Sequence, residues 1–385
     1  MHCEKRKIAV EHSFINLFRA IAAFWVLAAH CMIWGGWYGI PLPSAKIAVD
    51  LFMMISGYLM AASASARAET EPLAKSNSWL RFWLRRFFRL APAYYLSLGL
   101  AVLLSHPFLG GYKLLQDLNP TLWLAGGVYD PARIEYTPLN ILSHLSFLFG
   151  LHPKLSFSTF LPDWSLGLEM QFYFVFPALM LLMQRRGFFK ISLLVSAFSI
   201  PIGFYIARHV QYYEPSLLLF KLQYFIAGIL VFKIVSTGAN RNQMLMIACA
   251  TILVSLESKY GRELLVLPSI LLAMILFGCL ERNHIMPKIL GKLINSNLIK
   301  FASHTSYGVY LFHGFYISAC GYIFTKNSYF VSFTPLERVV AMFVFVTILA
   351  YITGYCVHRW IEIPGINFGR TISNQLFSRE LRRST

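Results

Sequence analysis

Residues 19–30, Arg19-Ala-Ile-Ala-Ala-Phe-Trp-Val-Leu-Ala-Ala-His30, lie inside an apolar run over 14–35 that is long enough to cross a bilayer. The run reads as a membrane helix carrying one cation and one imidazole. Ionisable groups at membrane depth are costly and mark substrate or proton pathways. Eleven residues at about 100° each return His30 to within roughly 20° of Arg19, about 16 Å further along the same face. One stripe therefore holds a basic group near one membrane surface and a potential base near the other.

The surrounding chain has the same character. Its 385 residues are 57% hydrophobic, 16% aromatic and 13% charged, a balance that excludes the soluble globular classes. The net charge of +17 would suit a nucleic-acid binder, but the charges form short clusters between apolar segments. That is how topology signals are placed, so no nucleic-acid partner is expected. Cys3, Cys31, Cys249, Cys279, Cys320 and Cys356 are scattered without a CxxC pair, which indicates neither a disulfide framework nor a metal site. The Lys5-Arg6-Lys7 cluster leads into a segment too long for a cleavable signal peptide.

Ten apolar spans are expected, at 14–35, 46–63, 90–106, 162–183, 188–208, 216–236, 243–257, 264–280, 303–324 and 336–360. Several are near the lower limit of about 17 residues, so their ends are soft and one could be re-entrant. The fold class is all-α, a polytopic integral-membrane helical bundle of about ten transmembrane helices. With the N-terminus in the cytoplasm, the inner loops and tails hold 22 of the 34 Lys and Arg residues, a bias that favours both termini inside. Residues 107–161 form the one large loop, on the outer side, with an apolar stretch at 139–151 that could dip into the interface. No repeat, low-complexity tract or appended soluble domain is visible, so the chemistry falls to the membrane body.

Several further segments could carry that chemistry. In Trp79-Leu-Arg-Phe-Trp-Leu-Arg-Arg-Phe-Phe-Arg-Leu-Ala-Pro92, Arg81, Arg85 and Arg89 follow an i, i+4, i+8 pattern on one helix face. They could snorkel to lipid phosphates or bind the phosphates of a cytoplasmic cofactor, since guanidinium forks match phosphate oxygens. In Leu161-Pro-Asp-Trp-Ser-Leu-Gly-Leu-Glu169, Asp163 could cap the fourth span, and Glu169 lies about 10 Å deeper, level with His30. Asp50 enters the second span at a comparable level, so His30, Glu169 and Asp50 would share one outer layer as acid–base groups. A lone intramembrane histidine can equally be a core residue bonded to a backbone carbonyl. Ser56-Gly57-Tyr58 suits close helix packing. Tyr310 and His313 form a polar i, i+3 stripe that could face a cavity or join helices, and Glu362 has Arg359 as its nearest basic neighbour.

Taken in order, these segments resemble the acyltransferase 3 family of bacterial membrane-bound O-acyltransferases. Arg19 to His30 resembles the family's R-X10-H signature, and Val49-Asp-Leu-Phe-Met-Met-Ile-Ser-Gly-Tyr58 its second helix. Arg86-Phe-Phe-Arg-Leu-Ala-Pro92 is similar to its RxxRxxP segment and Trp164-Ser-Leu-Gly-Leu-Glu169 to WSLxxE. Ser306-Tyr-Gly-Val-Tyr-Leu-Phe-His313 resembles the late SYxxYLxH helix. The resemblance covers nearly the whole chain. It implies a membrane domain over residues 10–365 with a basic cytoplasmic tail at 366–385, and no extra hydrolase-like extracytoplasmic domain.

The resemblance also implies an activity. An acyl group, usually acetyl, would pass from cytoplasmic acyl-CoA, a co-substrate and not a permanently bound cofactor, to a hydroxyl of a cell-surface glycan or lipid-linked sugar. The setting would be the bacterial inner membrane. On this reading Arg85, Arg86 and Arg89 hold the CoA phosphates, and Arg19 lines the route of the pantetheine arm. His30 acts as base or as a covalent acyl carrier, and Glu169 orients it. Asp50, Trp164, Tyr310 and His313 would contact the acceptor. The competing class is a proton-coupled carrier, which also uses intramembrane His, Arg, Asp and Glu. No inverted repeat or matched pair of broken helices supports it.

Overall fold

The positions at which apolar runs meet Pro, Gly and charge clusters become the helix boundaries of the structure, a computed structural model. It describes residues 12–37, 42, 44–119, 134, 136–237, 241–255 and 265–381. Among these residues the secondary structure is helical, with no strand. The helices are α1 Ser13–Gly35, α2 Ala45–Ala66, α3 Ser76–Leu103, α4 Ser105–Leu118 and α5 Pro138–Leu145. After two short 3₁₀ turns come α6 Trp164–Arg186, α7 Phe188–His209, α8 Leu218–Thr237, α9 Arg241–Ser255 and α10 Val266–Arg282. The chain closes with α11 Lys288–Ile294, α12 Asn297–Lys326, α13 Ser328–Val331 and α14 Pro335–Val357. A π turn, His358–Glu362, then leads into α15 Ile363–Leu381.

Each of the ten expected spans falls on one of these helices. Six are long and apolar enough to cross a membrane, counting α14 and α15 as one, or seven if the α3–α4 pair, bent by 78°, is a single span. By that measure the expected ten is not reached. Helices α9 and α10 have only 15 and 17 residues. Helix α12 has 30, but its polar stripe lowers its hydropathy. A helix of that composition avoids lipid by standing among other helices, and α12 packs against α1, α4 and α14.

Two apolar clusters hold the bundle together. One joins α1, α2, α6, α8, α9 and α10, and the other joins α3, α4, α12 and α14. In the first, α2 and α8 approach backbone to backbone. A Cβ on Gly228 would stand 1.9 Å from the Met54 carbonyl oxygen, and one on Gly57 2.1 Å from that of Phe225. This is the packing role expected of Ser56-Gly57-Tyr58. Small residues let dispersion contacts form where lipid offers no hydrophobic drive for helix association.

Helices α1 and α12 run parallel and are joined by polar pairs. Ser303 donates to Asn16 at 2.9 Å and Arg19 donates to Ser306 at 3.1 Å, both with the same offset in sequence.

One expectation changes. The loop expected over 107–161 is helical as far as Leu118, because α4 continues α3 after a bend and docks on α12 through Tyr112, which donates to the Gly314 carbonyl at 2.8 Å. The apolar stretch 139–151 forms α5 and a 3₁₀ turn, while residues 120–133 lie outside the described residues. The domain boundary expected at 365 falls inside α15, which packs on α3. Pro92 lacks an N–H and leaves the Phe88 carbonyl without its helical donor. Gly365 sits against that spot, where a Cβ would be 2.8 Å from the Phe88 oxygen.

Candidate active site

Where the two apolar clusters meet, α1, α2, α3, α6, α12 and the π turn enclose a cavity of about 100 Å³. Arg19, Arg86, Arg89, Glu169, Tyr173 and Glu362 supply most of its charge and polarity, and Phe52, Ile55, Leu59 and Leu90 its apolar wall. Three guanidinium groups thus face two carboxylates across a partly buried space, where each charge acts over a longer range than it would in open solvent. The helix geometry explains the choice of arginines. Arg86 and Arg89 are i, i+3 neighbours on the inward face of α3.

Arg85 takes another role. Both its terminal nitrogens bind Glu71, at 2.9 and 2.5 Å, and Arg81 lies 3.8 Å from the same carboxylate. Arg81 and Arg85 of the i, i+4, i+8 face therefore turn towards the α2–α3 connection, and only Arg89 of the three lines the cavity. Arg67, at the end of α2, shows the field there. Burial and the neighbouring Arg85 push its guanidinium pKa down, partly offset by Glu71. This end of the bundle is electropositive.

Glu169 was expected to orient His30. Instead it accepts from Ser56 at 2.8 Å and from Tyr173, facing the arginine-lined space. The partner of His30 is His313, with Nδ1 of His30 2.7 Å from Nε2 of His313. The two rings lie within 7° of parallel with centroids 5.0 Å apart. That spacing is the N···N distance plus the two ring radii, so the rings lie edge to edge in nearly one plane. The depth argument brought His30 and Glu169 level but could not fix the direction each faces around its helix.

Tyr310 stands between the cavity and this histidine pair. It lines the cavity, and its ring centroid is 6.3 Å from that of His313. Its single hydroxyl proton goes to the Pro162 carbonyl. Ser165 must then be the donor in the 2.9 Å contact with the Tyr310 oxygen. Trp164, at the start of α6, is buried in the first apolar cluster.

Asp50 stands apart from the layer expected with His30 and Glu169. It forms a buried ion pair with Lys221 of α8, at 3.1 and 3.2 Å. Lys221 lies in the first turn of that helix, within the span expected at 216–236. Asp163 does not cap α6. It accepts from Tyr94 and Thr159, each at 2.9 Å, and lies 3.1 Å from His144. His144 in turn meets Ser158 at 3.1 Å. The order Ser158–His144–Asp163 has the connectivity of a hydrolytic triad. Ser158 is only 2% exposed, however, and donates to Asn140 or the Leu155 carbonyl. The group works as a latch holding 136–163 onto α3. Burial and the charge of Asp163 raise the Tyr136 hydroxyl pKa, and that hydroxyl donates to the Thr159 carbonyl at 3.1 Å in the latch.

Glu362 was assigned to Arg359 from sequence. Arg359 is exposed, and Glu362 turns inward, bound by His358 at 3.0 Å with its Oε1 unpartnered. The spacing His358 to Glu362 was visible as an i, i+4 pair, but its inward direction depends on the π turn. Ser306 and Tyr307 also line the cavity. Both lie within the quoted late-helix segment but drew no role from sequence.

Fold and site together define a multi-pass membrane protein with a polar, arginine-lined cavity between its helices. The chain belongs to the acyltransferase 3 family, whose model, described as an acyltransferase domain, matches residues 12–355. It is 31% identical over 183 residues to the peptidoglycan O-acetyltransferase OatA of Listeria monocytogenes, a match covering 44% of this chain and 24% of that protein. It is also 31% identical over 185 residues to BcsY of Komagataeibacter xylinus, whose name places it with the membrane-bound transacylases, covering 48% and 41% of the two chains. A third relative is the regulator of hypoxia-inducible factor 1 of Caenorhabditis elegans, 28% identical over 148 residues, 38% and 26% of the two chains. The matches thus span less than half the length of these relatives. No solved structure matches the chain.

Proposed function

We propose that the protein moves an acyl group, acetyl by family resemblance, from cytoplasmic acyl-CoA to a hydroxyl of a cell-surface glycan or lipid-linked sugar. It would do so in the bacterial inner membrane with both termini in the cytoplasm. The observation that carries this reading is the arginine cluster of the cavity, with His30 outside the cavity lining and further along α1 from Arg19. Arg19, Arg86 and Arg89 collect at the electropositive end, and the His30 stripe leads away from them. Anionic CoA suits the first end. A neutral hydroxyl suits the second, where an imidazole can take its proton.

On this reading Arg86 and Arg89 hold the donor phosphates, and Arg19, fixed by Ser306, lines the path of the thioester. His30 takes the acceptor proton as the oxygen attacks the thioester carbonyl, and the C–S bond breaks to release CoA. Glu169 balances the guanidinium charges, and Tyr310 and Trp164 flank the acceptor. The carrier alternative loses support, because the family is one of acyltransferases.

Purified protein in detergent is expected to release free CoA from acetyl-CoA. His30→Ala should abolish the release while leaving the protein folded, and a fully active His30→Ala protein would overturn the assignment. Mass spectrometry of surface glycans with and without the gene would identify acceptor and acyl group together.

A further inference from the structure

The geometry points to His313 as a positioning residue that fixes the tautomer of His30, in the place a carboxylate takes in a catalytic triad. This rests on the acyl-transfer reading above. The argument is a proton count. Nδ1 of His313 lies 2.9 Å from the Tyr310 carbonyl oxygen and 3.1 Å from that of Val309. Carbonyl oxygens only accept, so Nδ1 of His313 carries the hydrogen. A neutral imidazole has one N–H, which leaves Nε2 of His313 a bare acceptor. The 2.7 Å contact then needs its hydrogen on Nδ1 of His30. Nε2 of His30 is left with its lone pair and has no hydrogen-bond partner among the described residues, on a side chain that is only partly buried. The free nitrogen is therefore the basic one.

The pair also provides for the charge that develops. When the acceptor O–H proton moves to Nε2 of His30, the oxygen bonds to the thioester carbon and the C–S bond breaks, with the sulfur leaving as CoA thiolate. His30 is then an imidazolium whose Nδ1–H points at the Nε2 lone pair of His313. If that proton crosses, the cation rests on His313, whose Nδ1–H is already held by two carbonyl dipoles of α12. The proton taken from the acceptor is afterwards returned to the thiolate, and both rings are neutral again. No carboxylate is required, which accounts for Glu169 facing the arginines instead.

Two variants and one spectrum test this. Gln at position 313 places an amide oxygen near the former Nε2, whereas Phe keeps the bulk and removes the acceptor. His313→Phe is expected to lower turnover of acetyl-CoA on the order of 100-fold with KM unchanged, and His313→Gln to recover most of it. In ¹⁵N-histidine-labelled wild-type protein, NMR should find His30 protonated at Nδ1 and bare at Nε2. A proton on Nε2 of His30 in the wild type, or a His313→Phe protein within about three-fold of wild-type turnover, would overturn the inference. Should His313→Phe fail to fold, the wild-type spectrum still decides. If the spectrum is as expected but the wild type releases no CoA, the pairing stands and the donor reading falls.

Discussion

Ser56 donates to Glu169 at 2.8 Å, tying the Ser-Gly-Tyr segment of α2 to the Trp-Ser-Leu-x-x-Glu segment of α6. The same carboxylate accepts from Tyr173 one turn further along α6. Its position is therefore set from two sides, and its charge faces Arg19, Arg86 and Arg89 across the cavity. Glu169→Gln keeps an acceptor for Ser56 and removes only the charge. Turnover of acetyl-CoA should fall on the order of 100-fold with a melting temperature close to wild type, because a preorganised charge in a partly buried site stabilises developing charge. Wild-type turnover in this variant would remove Glu169 from the mechanism.

The Asp50–Lys221 pair, with side chains 5% and 6% exposed, makes a different prediction. Removing one partner of a buried pair leaves an uncompensated charge, so Asp50→Asn should destabilise the protein by about 3–5 kcal/mol in detergent unfolding. The double variant Asp50→Asn, Lys221→Met should regain much of that loss. If Asp50→Asn instead unfolds like wild type but loses acyl transfer, Asp50 belongs to the acceptor site.

Glu281 on α10 accepts from the backbone N–H groups of Ser13 and Phe14, each at 2.9 Å. It caps α1, the helix that carries Arg19 and His30, from a neighbouring helix. Glu281→Ala should cost about 1–2 kcal/mol. The effect should appear as faster hydrogen exchange confined to the first turn of α1, and unchanged exchange there would rule out the cap.

Glycine positions separate packing from propensity. Gly228→Ala drives a methyl into the Met54 carbonyl and should prevent folding or cost more than about 3 kcal/mol. Nothing lies within 4 Å of a Cβ on Gly99, inside α3, so Gly99→Ala should stabilise by about 0.5–1 kcal/mol. Parallel thermal unfolding of the two variants checks both signs.

The apolar runs were enough to place the helices, because length and hydropathy are local properties. Partner choice is not local. The stripe holding Arg19 and His30 was legible in the helical period, but both residues find their partners, Ser306 and His313, on a helix nearly 290 residues later. Asp50 was read without Lys221, and Arg85 without Glu71, because neither carboxylate's azimuth follows from its depth. The α3 arginines that line the cavity are the i, i+3 pair Arg86 and Arg89, while Glu71 draws Arg81 and Arg85 away. Where the sequence pattern and the packing agree, as at Gly57, the expectation carries through.

The π turn at His358–Glu362 holds one residue more than an α-helical turn would. A helix absorbs a single-residue insertion in this way without breaking its span. Winding the same residues as an ordinary helix, with none removed, would rotate everything after them by about 100°. Glu362 would then swing out of the cavity and Gly365 away from its seat on α3, with the composition of the span unchanged. The charge balance of the cavity thus depends on a reading-frame-like property of the last helix, the register in which its residues are wound.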